Sequence, residues 1–370
     1  MTQALPHAVR FTKQVIDPAF VSEGIAVADI NQNGILDIIA GDCWYEGPHW
    51  TPHNFRTVGI VWEAYRDETY NWALDLTGNG YPDLVTVAMH LSPIYWYENP
   101  GPTCADGTPW KKHLIAEGGV YESVAFADIN GDGRPELIAT PVNGQEALAW
   151  FEPAEDLDAP WIRHDISPIG GGWHGIGAAD ITGNGRLDIL ATPGWFEAPE
   201  DPRQPNWIFH RWQLGEVTPF QIVPVDFTGN GLLDLLTASP HNYGIWWWEQ
   251  LRDANGTITW RKHTIDDSFS QSHAVALVDL TGNGLLDIVT GKRWQAHGED
   301  GDPGSREPAV LVWYEQLRDE MGTHFLRHVI DMDSGVGLQV LAQDINNDGR
   351  IEIIASNKKG VNLFMGAAKN

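Results

Sequence analysis

One phrase returns seven times along the chain, and it limits the possible folds more than any other feature. It reads DINQNGILDIIAG from Asp29, DLTGNGYPDLVTV from Asp75, DINGDGRPELIAT from Asp128 and DITGNGRLDILAT from Asp180. It returns as DFTGNGLLDLLTA from Asp226, DLTGNGLLDIVTG from Asp279 and DINNDGRIEIIAS from Asp344. Successive copies begin 46, 53, 52, 46, 53 and 65 residues apart, close to the length of a four-stranded propeller blade. The long interval marks one insertion, at about 291–309. A length of 370 residues would on its own suggest two or three domains, but seven such units absorb all of it. The expected fold is all-β: a single seven-bladed β-propeller over 1–370, with four-stranded antiparallel blades.

Within each unit four β-like segments follow in order. An apolar run enters the leading Asp, and a second leaves the loop. A third carries Trp-aromatic-Glu, as in Trp44-Tyr45-Glu46, Trp150-Phe151-Glu152 and Trp313-Tyr314-Glu315. A fourth, such as WKKHLI or WRKHTI, is rich in aromatic and β-branched residues. The seventh unit ends after its third segment. The missing strand lies at the other terminus, where Arg10 to Asp17 matches the fourth segment Phe325 to Asp331. The N-terminus therefore closes the last blade, leaving only short, protected edges.

The phrase resembles the FG-GAP or VCBS repeat, whose members form propellers with calcium loops, and the resemblance covers essentially the whole chain. By that motif a calcium loop offers oxygens at alternate positions of a tight turn. The first loop offers Asp29, Asn31, Asn33 and Asp37; the third offers Asp128, Asn130, Asp132 and Glu136; the last offers Asp344, Asn346, Asp348 and Glu352. The other four read Asp-x-Thr-Gly-Asn-Gly and are expected to be empty. All seven can equally be self-capping turns in which Asp and Asn accept backbone N–H groups.

Charge narrows the partners. Against 50 Asp and Glu stand 23 Lys and Arg, a formal charge of -27 that repels phosphate backbones and anionic lipids. No stretch has the 18 or so apolar residues of a membrane span, and the opening MTQALPHAVRFTKQVID lacks a signal peptide's apolar core. The expectation is a cytoplasmic chain as written, or a secreted or periplasmic one if an export signal has been trimmed. Cys43 and Cys104 stand apart and form no metal-ligand or disulfide pattern.

In a propeller the acidic turns occupy one face and the variable loops the other, and ligands are expected on the variable loops. Six residues before the leading Asp the repeats place Glu23, Thr69, Glu122, His174, Phe220, His273 and Leu338. Seven residues past the closing acid they place Trp44, His90, Asn143, Trp195, His241, Trp294 and Lys359. Of 14 histidines, His113, His164, His210, His263 and His328 share the fourth-strand position and are expected to be structural. His90, His174, His241 and His273 form a distinct set, together with Glu23 and Glu122, at one predicted mouth. Imidazole suits general base work and coordination of a divalent metal alike. Lys292, Arg293, Lys358 and Lys359, with Arg306 in the insertion, reverse the local charge and could receive a carboxylate or a developing enolate. Tyr121, Trp173, Trp195, Trp294 and Tyr243 add the aromatic plates that pyranose rings require.

These groups point to β-elimination or dehydration beside a sugar carbonyl or uronate carboxylate. His174 or His241 is the expected base. Lys292 and Arg293, or a His-bound metal, would face the enolate, and Tyr243 or His90 would serve as acid. The Trp-Tyr-Glu-Gly-Pro phrase at Trp44 to Pro48 and the repeat together resemble the propeller domain of aldos-2-ulose dehydratases and, more distantly, propeller-type rhamnose-glucuronate lyases. The cupin-like domains that accompany the dehydratase propeller are absent from the 370 residues. Glycoside hydrolysis would need two facing carboxylates, for which only Glu23 and Glu122 offer themselves. No Gly-x-Ser-x-Gly elbow or basic-context Cys appears. The rival expectation is a non-catalytic sugar-binding or protein-interaction propeller; for the enzyme the expected partner is a mono- or oligosaccharide substrate. A protein-interaction propeller would take a protein instead, and no organic cofactor is expected.

Overall fold

Each repeat becomes one sheet. The computed structural model describes residues 9–57, 61–62, 65–66, 69–88, 92–119, 121–141, 147–168, 174–212 and 219–367. Seven four-stranded antiparallel sheets form the blades of a propeller. They span 26–54, 70–119, 121–167, 177–211, 222–270 and 275–331, with 340–366 completing the count. The first strands of neighbouring blades touch one another, so strand order runs from the axis outward. A two-stranded hairpin, Val61–Trp62 with Tyr65–Arg66, precedes blade two.

Blade seven takes its outer strand from the start of the chain. Phe11–Asp17 pairs antiparallel with Gly360–Gly366, Phe11 opposite Gly366 and Asp17 opposite Val361. The register expected from the fourth-segment match is the one found.

The acidic phrase folds as a double clamp. Each leading Asp accepts backbone N–H bonds from its own loop, as when Asp29 accepts from Asn33 at 3.0 Å and Gly34 at 2.8 Å. The closing acid, fully buried in every blade, accepts from the residue after the leading Asp. In six blades it also accepts from the end of the third strand. Asp234, for example, accepts from Phe227 at 3.1 Å and Gln250 at 2.9 Å. In those six blades the two turns on this face are thereby tied to one carboxylate. Burial raises these acids: Asp37, Asp83, Asp188, Asp234 and Asp287 to about 6, and Glu136 to about 7.

Between blades the core is aromatic. Trp44, Trp96, Trp150 and Trp313 are almost wholly buried. In six blades the third-strand Trp stacks on a fourth-strand His whose Nε2 meets the Glu of the same Trp-aromatic-Glu phrase. Trp96 and His113 have centroids 4.0 Å apart, and His113 lies 2.9 Å from Glu98. His53, His164, His210, His263 and His328 repeat the arrangement. The fourth-strand histidines are thus structural, as their repeat position implied.

Candidate functional site

The face opposite the acidic clamps carries the loops that do not repeat. Four of them converge: the approach to blade four (His174), the loop after Asp234–Ala238 (His241), the link from blade five to blade six (Gln271 to His273), and the long insertion after Asp287–Gly291. His174 Nε2 and His241 Nε2 stand 2.8 Å apart. His241 Nδ1 is 3.4 Å from Asp302, and His297 Nδ1 is 2.7 Å from the same carboxylate. His273 closes the group, its ring 5.8 Å from that of His241 and 6.3 Å from that of His174. Exposure is graded: His174 and His273 are buried, whereas the side chains of His241 and His297 are 40% and 34% exposed.

Burial decides the charge state of the inner imidazoles. It lowers His174 to about 3, with the neighbouring His241 and Arg293 acting in the same direction. It also lowers His273 well below the usual histidine range and lowers His241. His174, His241 and His273 are therefore neutral imidazoles at neutral pH. His273 Nδ1 lies 3.0 Å from the Gln271 carbonyl, an acceptor that fixes the proton there. Its Nε2 has no hydrogen-bond partner among the described residues.

Ligand atoms of His241, His297 and Asp302 lie within 4.8 Å of one another. Two imidazoles and one carboxylate suit zinc or a similar transition ion, and the His273 ring stands behind them, 5.8 Å from that of His241. The residues fit a divalent metal.

A second group adjoins it. Tyr243 donates to Glu307 at 2.6 Å, a bond that raises the phenol above its ordinary range. The wholly buried Lys292 side chain donates to the Gly304 carbonyl and lies 3.7 Å from Glu307, and burial lowers its ammonium.

The remaining expected site residues fall elsewhere. Glu23 and Arg293 are buried against each other in a two-pronged ion pair. Lys358 donates to the carbonyls of Gln295 at 2.6 Å and Ala296 at 3.3 Å. Lys359 sits 3.9 Å above the Trp294 ring and Arg306 pairs with Asp300 at 3.0 Å. The basic residues expected to form an anion recess are instead engaged within the protein: Arg293 by Glu23, Lys359 by Asp333, and Lys292 and Lys358 by carbonyls of the insertion. Trp195, expected at the mouth, lies in the strand Gly194–Glu197 stacked on His210 at 3.9 Å. The turn before it is too short to lift it into a loop. Tyr121 and Glu122 begin the first strand of blade three. His90 and Trp173 lie outside the described residues.

His297, Asp302 and Glu307 were not singled out from the sequence. They have no counterpart in the repeat, and their one signal was that the insertion holding them interrupts a regular spacing.

The calcium expectation meets a different arrangement. In loops one, three and seven the carboxylate and amide oxygens already accept N–H groups of their own turn, as do Asp128 from Gly133 at 3.0 Å and Asp344 from Gly349 at 2.8 Å. The self-capping turn is therefore realised in all three. Loop three differs in gathering Asp128, Asp132 and Glu136 oxygens within 4.8 Å, a hard-oxygen set that fits calcium.

The FG-GAP-like repeat family matches residues 75–139 and 226–290, each running from one acidic turn into the second strand of the next blade. These stretches are FG-GAP-like repeats. No curated protein sequence matches the chain. Among solved structures it is similar to the V. cholerae biofilm matrix protein Bap1 at 12% identity and a TM-score of 0.43, over 98% of this chain and 84% of that one. The FG-GAP-like repeats and the seven blades describe a scaffold that hosts unrelated functions, so activity has to be argued from the mouth.

Proposed function

We propose that the chain is a carbohydrate-active carbon–oxygen lyase or dehydratase that works by β-elimination at the histidine mouth, with a divalent metal held by His241, His297 and Asp302. The observation that carries this reading is the convergence of those three groups on the wall that also bears the Tyr243–Glu307 pair. Eliminations of this kind need positive charge for the enolate, a proton acceptor at carbon and a proton donor at the departing oxygen. A bound metal would supply the first as a Lewis acid.

The chain's own side chains supply the rest. Tyr243 is the proton donor, kept protonated by its bond to Glu307. Glu307, its side chain 43% exposed, is the acceptor beside it. Lys292 holds Glu307 and the Gly304 carbonyl in place. His174 and His273, neutral and buried, back the exposed imidazoles. With His241 given to the metal and His174 covered, proton removal moves from the imidazoles to the Tyr243–Glu307 pair. A sugar or uronate is the substrate class suggested by the repeat together with the Trp44 to Pro48 phrase.

Purified protein, supplied with zinc and incubated with a panel of ketosugars and uronate oligosaccharides, is expected to generate the ultraviolet absorbance of an unsaturated product. Tyr243→Phe should lower the rate by about 10²–10⁴-fold, the usual worth of general acid–base catalysis. Binding without new absorbance across the panel would reduce the mouth to a sugar-binding site. Unchanged turnover in Tyr243→Phe would remove the proton-donor assignment.

A further inference from the structure

Gln271 sits where four strands of the site's support meet. It is fully buried, and its φ of 65° lies in the left-handed region that residues other than glycine and asparagine seldom occupy. Backbone held in such a conformation persists only where its surroundings over-determine it, and such positions concentrate at binding sites. The surroundings here are specific. The Gln271 N–H donates to the Asn242 carbonyl at 3.1 Å, next to His241. Its carbonyl accepts from the Arg293 N–H at 2.9 Å and lies 3.0 Å from His273 Nδ1. Its side-chain Nε2 donates to Asp302 Oδ2 at 2.8 Å.

One residue thus touches three of the four non-repeating loops and two of the five ligand-type side chains. An ordinary extended or helical φ would turn the carbonyl away from His273 or the amide away from Asp302. Its own Oε1, on the same amide as the nitrogen bound to Asp302, has no hydrogen-bond partner among the described residues. Hydrogen bonds of this outer kind orient ligating groups, fix the tautomer of ligating imidazoles and tune metal affinity.

We infer that Gln271 is the positioning residue of the metal cluster: its amide holds Asp302, the carboxylate shared by His241 and His297, and its carbonyl fixes the tautomer of His273 behind them. The inference rests on the reading that this cluster holds a divalent cation. It assigns to the link between blades five and six the task of joining the insertion to the histidines.

Cobalt(II) titration tests it, followed by the visible ligand-field absorption and by calorimetry, on the full chain as wild type, Gln271→Met, Gln271→Gly and His297→Ala. Methionine keeps the volume and removes the amide; glycine removes the amide and relaxes the backbone. Wild type is expected to bind one ion, and His297→Ala to lose most of that affinity. Both Gln271 variants should bind 10–100-fold more weakly, with an altered absorption band, while their metal-free melting temperatures stay close to wild type. Wild-type affinity and spectrum in a folded Gln271 variant would overturn the positioning role and leave the metal reading standing. Failure of the wild type to bind cobalt would overturn both. Should Gln271→Met not fold, Gln271→Gly, which suits a positive φ, decides the matter alone.

Discussion

Breaking the Glu23–Arg293 pair should cost far more than an ordinary surface ion pair, and the reason is positional. Glu23 leads into blade one and Arg293 leaves the second strand of blade six, so the pair crosses the top of blade seven, the blade assembled from both chain ends. Two nitrogens of the guanidinium reach the two carboxylate oxygens, and both side chains are almost wholly buried. The Glu23 carbonyl also accepts the Leu338 N–H at 2.8 Å. Removing one partner of a buried pair leaves the other charge without compensation, typically a loss of about 3–5 kcal/mol. Replacing both by uncharged groups of similar volume can be nearly neutral. Arg293→Met is therefore expected to lose about 3–5 kcal/mol in guanidinium unfolding followed by tryptophan fluorescence. The double variant Glu23→Gln with Arg293→Met should recover most of it. A loss below about 1 kcal/mol, the value of an exposed pair, would refute the claim that this contact locks the seam. So would simple additivity of the two single variants.

Two further outcomes follow from other groups. Because burial lowers His174 to about 3 and lowers His241 and His273, the unfolded chain binds protons there that the folded chain refuses. Their contribution is complete above the unfolded value of about 6.5 and drains away as pH falls below it. His174→Gln should consequently be less sensitive than wild type to acidification from pH 7 to 5 in thermal melts; parallel curves would contradict the assignment. For loop three, calcium is expected to raise the melting temperature of wild type, and Asp132→Asn should shrink that shift by weakening binding to the folded state. An equal shift in both proteins would place the ion elsewhere.

The fold was legible because its signals are redundant. Seven copies of a turn with Asp at one end and a buried acid at the other leave little choice of strand positions, and the match between Arg10–Asp17 and Phe325–Asp331 exposed the closure. The site was half legible. His174, His241 and His273 stood out because the repeat has no packing use for imidazole at those offsets. His297, Asp302 and Glu307 did not, since an insertion has no register against which a residue can look unusual, and Gln271 did not because its positive φ and its bond to Asp302 have no trace in sequence. The basic residues misled for a related reason. Lys292, Arg293, Lys358 and Lys359 share a face in sequence register, but only coordinates reveal that Glu23, Asp333 and the carbonyls of the insertion had already taken their charges.

The carboxylate clamps have a bearing on how such a molecule can change. They fix the spacing of turns at one rim without help from the other, so a segment grafted onto the opposite rim bears mainly the entropy of closing a longer loop. That cost grows by only about 0.6 kcal/mol for each doubling of loop length. Chemistry can therefore be added or exchanged at the histidine side while the ring itself goes on folding from the same seven instructions.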